Sequence, residues 1–314
     1  MSSWLSKNRW VWPLIAAFLL WIAAGIVKGH VSGALLVSNA SIATFLAVIA
    51  LGQMVVMASG DGSIDISLPY VLTLSAYVSA AVLNATNGGL ITGIVAGLAV
   101  SMAVGVLNGM LVAVVRIPPI ITTLAVGYMV ETFLELSATN LGGGVSPALV
   151  NAVHSHPAGV PVLIMFTVAV ALVIWFLLRR TVYGSWLSAM GQSRRAASLV
   201  GVPINRMIVV NFMFSALMGG LAGLLLGAFA GGAFITMGTP YLLASIGAVV
   251  IGGTLVSGGF ASVPGTLAGA FLLTWLTTFV QIVNVPSGEE DIIEGLVVIL
   301  IAAIPSLNKR RERA

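Results

Sequence analysis

Long apolar runs separated by short polar breaks dominate the chain. They fall at Trp10–Val27, Ala40–Ala58, Ser67–Leu83, Leu90–Val115, Pro119–Leu136, Val160–Leu178, Met207–Phe229, Tyr241–Val256, Val263–Val283 and Ile292–Ile304. The runs have helix length and lack the strict apolar–polar alternation of a barrel strand, so they predict helices. A perpendicular crossing takes about 20 residues, so the third, eighth and tenth runs are short and read as broken or re-entrant. The expectation is an all-α polytopic membrane protein of about ten transmembrane segments. Lys7 and Arg9 ahead of the first run imitate a signal peptide, but that run is too long for one and many others follow, which favours an uncleaved span.

Composition strengthens this picture: 59% of the 314 residues are hydrophobic and 7% charged, against roughly a quarter charged in soluble domains. The absence of cysteine excludes disulfides, thiolate zinc sites and iron–sulfur clusters. A net charge of +4 does not point to nucleic acid, because the basic residues hug the ends of the apolar runs. That is the positive-inside pattern. With the N-terminus inside and every run crossing, Lys7, Arg9, Arg116, Arg179, Arg180, Arg194, Arg195, Arg206, Lys309, Arg310, Arg311 and Arg313 fall inside. Lys28, the acidic group Glu289, Glu290 and Asp291, and the polar stretch 137–159 fall outside. Both termini are then cytoplasmic. Spans two to five and seven to ten make two halves that enter from opposite sides, the plan of an inverted repeat, although their sequence similarity is faint. Small-xxx-small pairs at Gly93/Gly97, Gly105/Gly109, Gly219/Gly223/Gly227 and Gly265/Gly269 read as close helix packing, or as a dimer seam or hinge.

Few residues offer chemistry. Gly60-Asp61-Gly62-Ser63-Ile64-Asp65 interrupts two apolar runs, with Ser67 and Pro69 behind it. It reads either as the N-cap of the third span or as a broken-helix element shaping the pathway or its inner gate. No lysine follows a Gly-rich turn, so no phosphate loop exists and the chain is not expected to be an enzyme. Glu131 and Glu135 could relay protons or bind a cation, but like charges four apart repel and an interfacial position accounts for them better. Together with Asp61 and Asp65 they are the carriers an ion-gradient-driven secondary transporter, the alternative function, would use. His30, His154 and His156 lie in outer loops without acidic or thiol partners nearby, so no metal site is expected. Trp4, Trp10 and Trp12 read as interface anchors. Gly142–Gly144, Gly231–Gly232, Gly252–Gly253 and Gly258–Gly259 read as turns or packing points.

Arg179 to Arg206, RRTVYGSWLSAMGQSRRAASLVGVPINR, is the one long basic loop between spans. Gly191-Gln192-Ser193 resembles a helix start, Arg194 to Val200 a short helix carrying Ala196 and Ala197, and Gly201 its stop before Pro203. A short inside helix with small residues at its centre reads as a docking element, against the plainer reading of a solvated loop.

That loop resembles the coupling segment of the ribose-type branch of ATP-binding-cassette importer permeases. Three further stretches extend the resemblance: Gly60 to Ser67 with Asp65-Ile66-Ser67, Arg116-Ile117-Pro118-Pro119-Ile120 with Thr123-Leu124, and Ala248 to Ala270 with Gly252-Gly253-Thr254 and Gly265-Thr266. The resemblance covers roughly Ala40 to Ile304 and implies a permease subunit, 1–314 as one transmembrane domain with the coupling loop 179–206 inside it, in a bacterial inner membrane. It implies a second permease copy or paralogue, a cytoplasmic ATPase that uses ATP and Mg, and a periplasmic or secreted solute-binding protein. No cofactor is implied on this chain. Gly191, Arg194, Arg195, Ala196, Ala197 and Gly201 would carry docking, and Gly60, Asp61, Gly62, Asp65, Ser67, Pro118, Pro119, Gly252 and Gly253 would shape the path or gate. Arg194 and Arg195 depart from the family, which often has acidic residues there, and imply an acidic groove on the ATPase. Pro69 departs as well, standing where the family usually has Gly. The branch resemblance and the lack of cations along the spans imply a neutral solute, a monosaccharide or polyol.

Overall fold

The computed structural model describes residues 10–137, 143–286, 288–289, 292–293 and 295–296. Its helices are α1 (Val11–Val27), α2 (Gly33–Ala58), α3 (Leu68–Leu83), α4 (Leu90–Met110, continued by the π-helical turn Leu111–Val115), α5 (Pro119–Ser137) and α6 (Pro147–Val153). They continue as α7 (Val162–Arg180), α8 (Val182–Gln192), α9 (Arg194–Leu199), α10 (Ile204–Ala230), α11 (Tyr241–Ile251) and α12 (Val263–Ile282). No strand occurs among the described residues. Each predicted run from the first to the ninth coincides with a helix. Most of the run Ile292–Ile304, all but 292–293 and 295–296, lies outside the described residues, as do Lys7, Arg9, Lys309, Arg310, Arg311, Arg313, Glu290, Asp291, Trp4 and Gly142.

Among the described residues, six helices are long and apolar enough to cross a membrane: α2, α4 with its π turn, α5, α7, α10 and α12. The apolar helices α1, α3 and α11 are shorter. The chain is therefore a multi-pass helical membrane protein. Two boundaries differ instructively from expectation. Helix α2 starts at Gly33 rather than Ala40, because the Ser32 hydroxyl accepts the Leu35 N–H at 3.3 Å and caps it. Residues 182–192, read as loop, form α8, whose buried Gly184, Leu187, Met190 and Gly191 lie on one side.

Helices α2 and α10 pack on each other at the centre. Helices α3 and α4 pack on α10, while α11 and α12 pack on α2. Outside these, α1 lies on α12 and α7 on α2. Side chains such as Leu172 and Phe176 on α7 stay exposed, which suits a lipid-facing surface. The glycine pairs set the close approaches between helices. A Cβ at Gly105 would strike the Phe212 carbonyl on α10, and one at Gly223 the Leu72 carbonyl on α3. These seams are thus packing within the chain.

The two halves also echo each other locally. Leu68-Pro69-Tyr70-Val71-Leu72 opens α3 and Thr239-Pro240-Tyr241-Leu242-Leu243 opens α11. Asn87-Gly88-Gly89 precedes α4, and Ser257-Gly258-Gly259 lies shortly before α12. Arg116 (φ 65°) and Asn284 (φ 57°) each turn left-handed at the end of the next helix, two residues before Pro118 and Pro286.

Candidate functional site

Below α2 the chain turns back into the protein. Gly60 and Gly62, with φ of 83° and 63°, allow the reversal. Helix α3 then begins with Pro69 in its first turn, where the missing N–H costs nothing, so this departure from the family pattern is accommodated. Between the two sits Asp65, 2% exposed. Its Oδ1 accepts the Ser67 N–H at 3.1 Å and the Ser67 hydroxyl at 2.6 Å, and its Oδ2 accepts the Ser215 hydroxyl of α10 at 3.0 Å. Asn108 Nδ2 on α4 donates to Ser67 Oγ at 2.8 Å. Thr123 Oγ1 on α5 accepts the Ile66 N–H at 3.1 Å and donates to the Pro119 carbonyl at 3.0 Å. The Gln53 amide of α2, with its NH2 toward the Asp65 carbonyl, donates to it at 3.1 Å and accepts the Asp65 N–H at 3.3 Å. Four helices thus meet on one short segment. Ser215 lies about 16 Å along α10 from its start, at 1.5 Å per residue, so the segment dips well inside the helix ends.

The chain re-enters similarly in the second half. After α10, the 231–240 stretch reaches back until Gly238 abuts the Pro69 carbonyl at the start of α3. Buried Met237 leads into that contact. Short helices α3 and α11 therefore both start from segments folded back into the body.

At the basic end, α7 passes into α8 and α9. The Ser193 hydroxyl caps α9 by accepting the Ala196 N–H at 3.2 Å. Gly191 is buried, and a Cβ there would meet the Ala58 carbonyl and the Gly259 N–H. Gly60 and Gly258 close on the same spot, so three backbone segments touch with no side chain between them. Ser188 Oγ donates to the Gly259 carbonyl at 2.9 Å, and Gly259 N–H to the Ala58 carbonyl at 2.9 Å. Tyr183 donates to Asn211 Oδ1 of α10 at 2.8 Å, and burial pushes its phenol above the usual range, keeping that proton in place.

The expected site residues divide. Asp65, Ser67 and Pro119 join the buried knot, whose other members are Gln53, Asn108, Thr123 and Ser215, uncharged polar residues inside apolar runs. Gly60 and Asp61 instead join Gly191 and Arg194. Arg194, expected to meet an acidic partner, pairs within the chain: its Nε lies 2.9 Å from Asp61 Oδ2, and its guanidinium donates to Ser63 Oγ at 3.3 Å. Ala197 is 2% exposed and turned inward, whereas Arg195, Ala196 and Gly201 are exposed. Gly62 has open space beside it. Gly252 abuts Gly265 at the start of α12, Gly253 turns left-handed after α11, and Pro118 is exposed before α5. None of these three enters the Asp65 knot. Sequence reading missed Leu199 and Val200, 83% and 78% exposed on the basic loop, which form its apolar tip. No group of three or more His, Cys, Asp or Glu side chains that could hold a metal occurs among the described residues.

The family model for permease components of branched-chain amino acid transport systems matches residues 35–302. The chain belongs to this permease family. The match takes in both folded-back segments and the whole basic loop. Among its relatives, the L-arabinose transport system permease of Escherichia coli is 31% identical over 262 residues, 82% of this chain and 77% of that protein. The ribose import permease of Escherichia coli is 30% identical over 264 residues, 82% of this chain and 81% of that one. The autoinducer 2 import permease LsrD of Photorhabdus laumondii is 27% identical over 262 residues, covering 81% and 78% respectively. No solved structure is a significant match.

Proposed function

We propose that the chain forms half of the translocation path of an ATP-binding-cassette importer for a small neutral solute, a monosaccharide or polyol. The observation that carries this reading is its match, over about four-fifths of its length, to permeases named for arabinose and ribose. The chain has no phosphate-loop lysine, so ATP and Mg are used by a separate cytoplasmic ATPase, which docks on 179–206. A second permease copy or paralogue completes the path, and a periplasmic or secreted binding protein delivers the solute. The protein sits in the bacterial inner membrane with both termini cytoplasmic and about ten membrane segments, the short ones discontinuous. The exchange of packing between halves, with α3 and α4 on α10 and α11 and α12 on α2, supports an inverted repeat, as do the paired openings of α3 and α11. Nothing favours ion-gradient transport, and of its four candidate carriers Asp65 is enclosed in hydrogen bonds and Asp61 is ion-paired.

The test is uptake of labelled pentoses, hexoses, polyols and amino acids by cells with and without the chain. Loss of one sugar or polyol on deletion, restored by the gene, is expected. Loss confined to an amino acid would refute the proposed substrate class.

A further inference from the structure

The knot around Asp65 and the helix offered to the motor are only a few residues apart, and one ion pair joins them. We propose that Arg194 is a positioning residue that locks α9 to the 59–67 segment through Asp61, so that displacement of the coupling helices is delivered to α4, α5 and α10. The proposal rests on the reading that an ATPase docks on 179–206.

The neighbouring arginines have different jobs by geometry. Arg195 is exposed, while the Arg194 side chain is 24% exposed and bent back onto Asp61 and Ser63. Asp61 itself sits at φ 54°, a left-handed position that Asp and Asn tolerate better than most residues. From there its carboxylate reaches Arg194. Ser63 and Asp65 follow within the same segment, and Asp65 and Ile66 bind Ser215 of α10 and Thr123 of α5, while Ser67 binds Asn108 of α4. On the other side, Gly60, Gly191 and Gly258 press backbone against backbone, so the coupling helices and this segment have no compliant side chains between them. What the glycines leave free is sliding, and the ion pair opposes it. Asp61 is 63% exposed, so the pair is well hydrated and adds little to stability. Its role is to hold register.

The experiment uses the whole transporter, chain with ATPase and binding protein, in proteoliposomes, and reads ATP hydrolysed per solute imported. Asp61→Asn keeps the left-handed turn and removes only the charge; Arg194→Gln removes the partner. Each is expected to raise ATP per solute about two- to fivefold, the range over which a part-exposed ion pair shifts an equilibrium. Co-purification of the ATPase stays unchanged, and Arg194→Lys retains most of the coupling. The double variant is expected to be no worse than either single one, since both remove the same interaction. Wild-type ratios in both single variants overturn the proposal and leave the importer reading intact. Loss of ATPase co-purification in Arg194→Gln alone also overturns it, because Arg194 would then act on the partner. Should Arg194→Gln fail to assemble, Asp61→Asn decides. A wild-type assembly that imports nothing with ATP brings down the underlying reading and the proposal together.

Discussion

Replacing Asp65 by Ala is the sharpest perturbation of the buried knot. The carboxylate accepts three hydrogen bonds, from the Ser67 N–H, the Ser67 hydroxyl and the Ser215 hydroxyl, at 3.1, 2.6 and 3.0 Å. Truncation leaves these donors in a site that is 2% exposed. Each buried donor without a partner costs about 1–3 kcal/mol. The hydroxyls can rotate toward other acceptors, but the Ser67 N–H cannot, so the net loss is about 2–5 kcal/mol. At roughly 2 °C per kcal/mol for a chain of this size, the melting temperature in detergent should fall by about 4–10 °C. Asp65→Asn has a different prospect. Its oxygen can serve Ser67 and its NH2 can donate to Ser215 Oγ, so it should cost under about 1 kcal/mol. Thermal unfolding of the purified chain, followed by fluorescence in one detergent, measures both. Equal stability of the Asp65→Ala variant and the wild-type protein would refute the knot as a structural junction. An Asn variant as damaged as the Ala variant would show that charge, rather than hydrogen bonding, holds the site.

Three other expectations follow from the geometry. Gly191→Ala places a methyl against the Ala58 carbonyl and Gly259 N–H; the overpacking should cost about 1–3 kcal/mol, read as a lower melting temperature and slower uptake. Leu199→Asp combined with Val200→Asp should leave the melting temperature unchanged, since both side chains are exposed, yet abolish co-purification of the ATPase; retained co-purification would move docking elsewhere. Because the chain contains no cysteine, a single cysteine at Ser155 should react with an impermeant maleimide added outside intact cells and one at Ala196 should not, with the reverse labelling refuting the orientation.

Much of the fold was readable because burial in lipid imposes long, uniform apolar runs whose ends need only a charge, Gly or Pro. The ends of α5 and α12 could be placed within a residue for that reason, as could the start of α11. The start of α2 could not, because Ser32 caps it while the following Leu35 and Leu36 give no hint of a boundary. Helix α8 was hidden by its composition: its one buried face includes Gly184 and Gly191, and glycine reads as a break until the backbone it touches is seen. The candidate site was half legible. Asp61 and Asp65 stood out as charges between spans, but Gln53, Asn108, Thr123 and Ser215 come from four different helices, and no local pattern links them. Two of the residues chosen for docking, Gly191 and Ala197, are small because they face the chain's own body. The exposed apolar tip at Leu199 and Val200 looked like the ordinary tail of a short helix. Its exposure distinguishes it, and exposure follows from tertiary packing.

The importer reading turns on what energises uptake. The decisive measurement is solute accumulation in proteoliposomes holding this chain, its ATPase and its binding protein, with no ion gradient imposed. Accumulation that requires ATP and the binding protein, and that stops when the ATPase is omitted, is predicted. Accumulation driven by a proton or sodium gradient in liposomes containing this chain alone would contradict it.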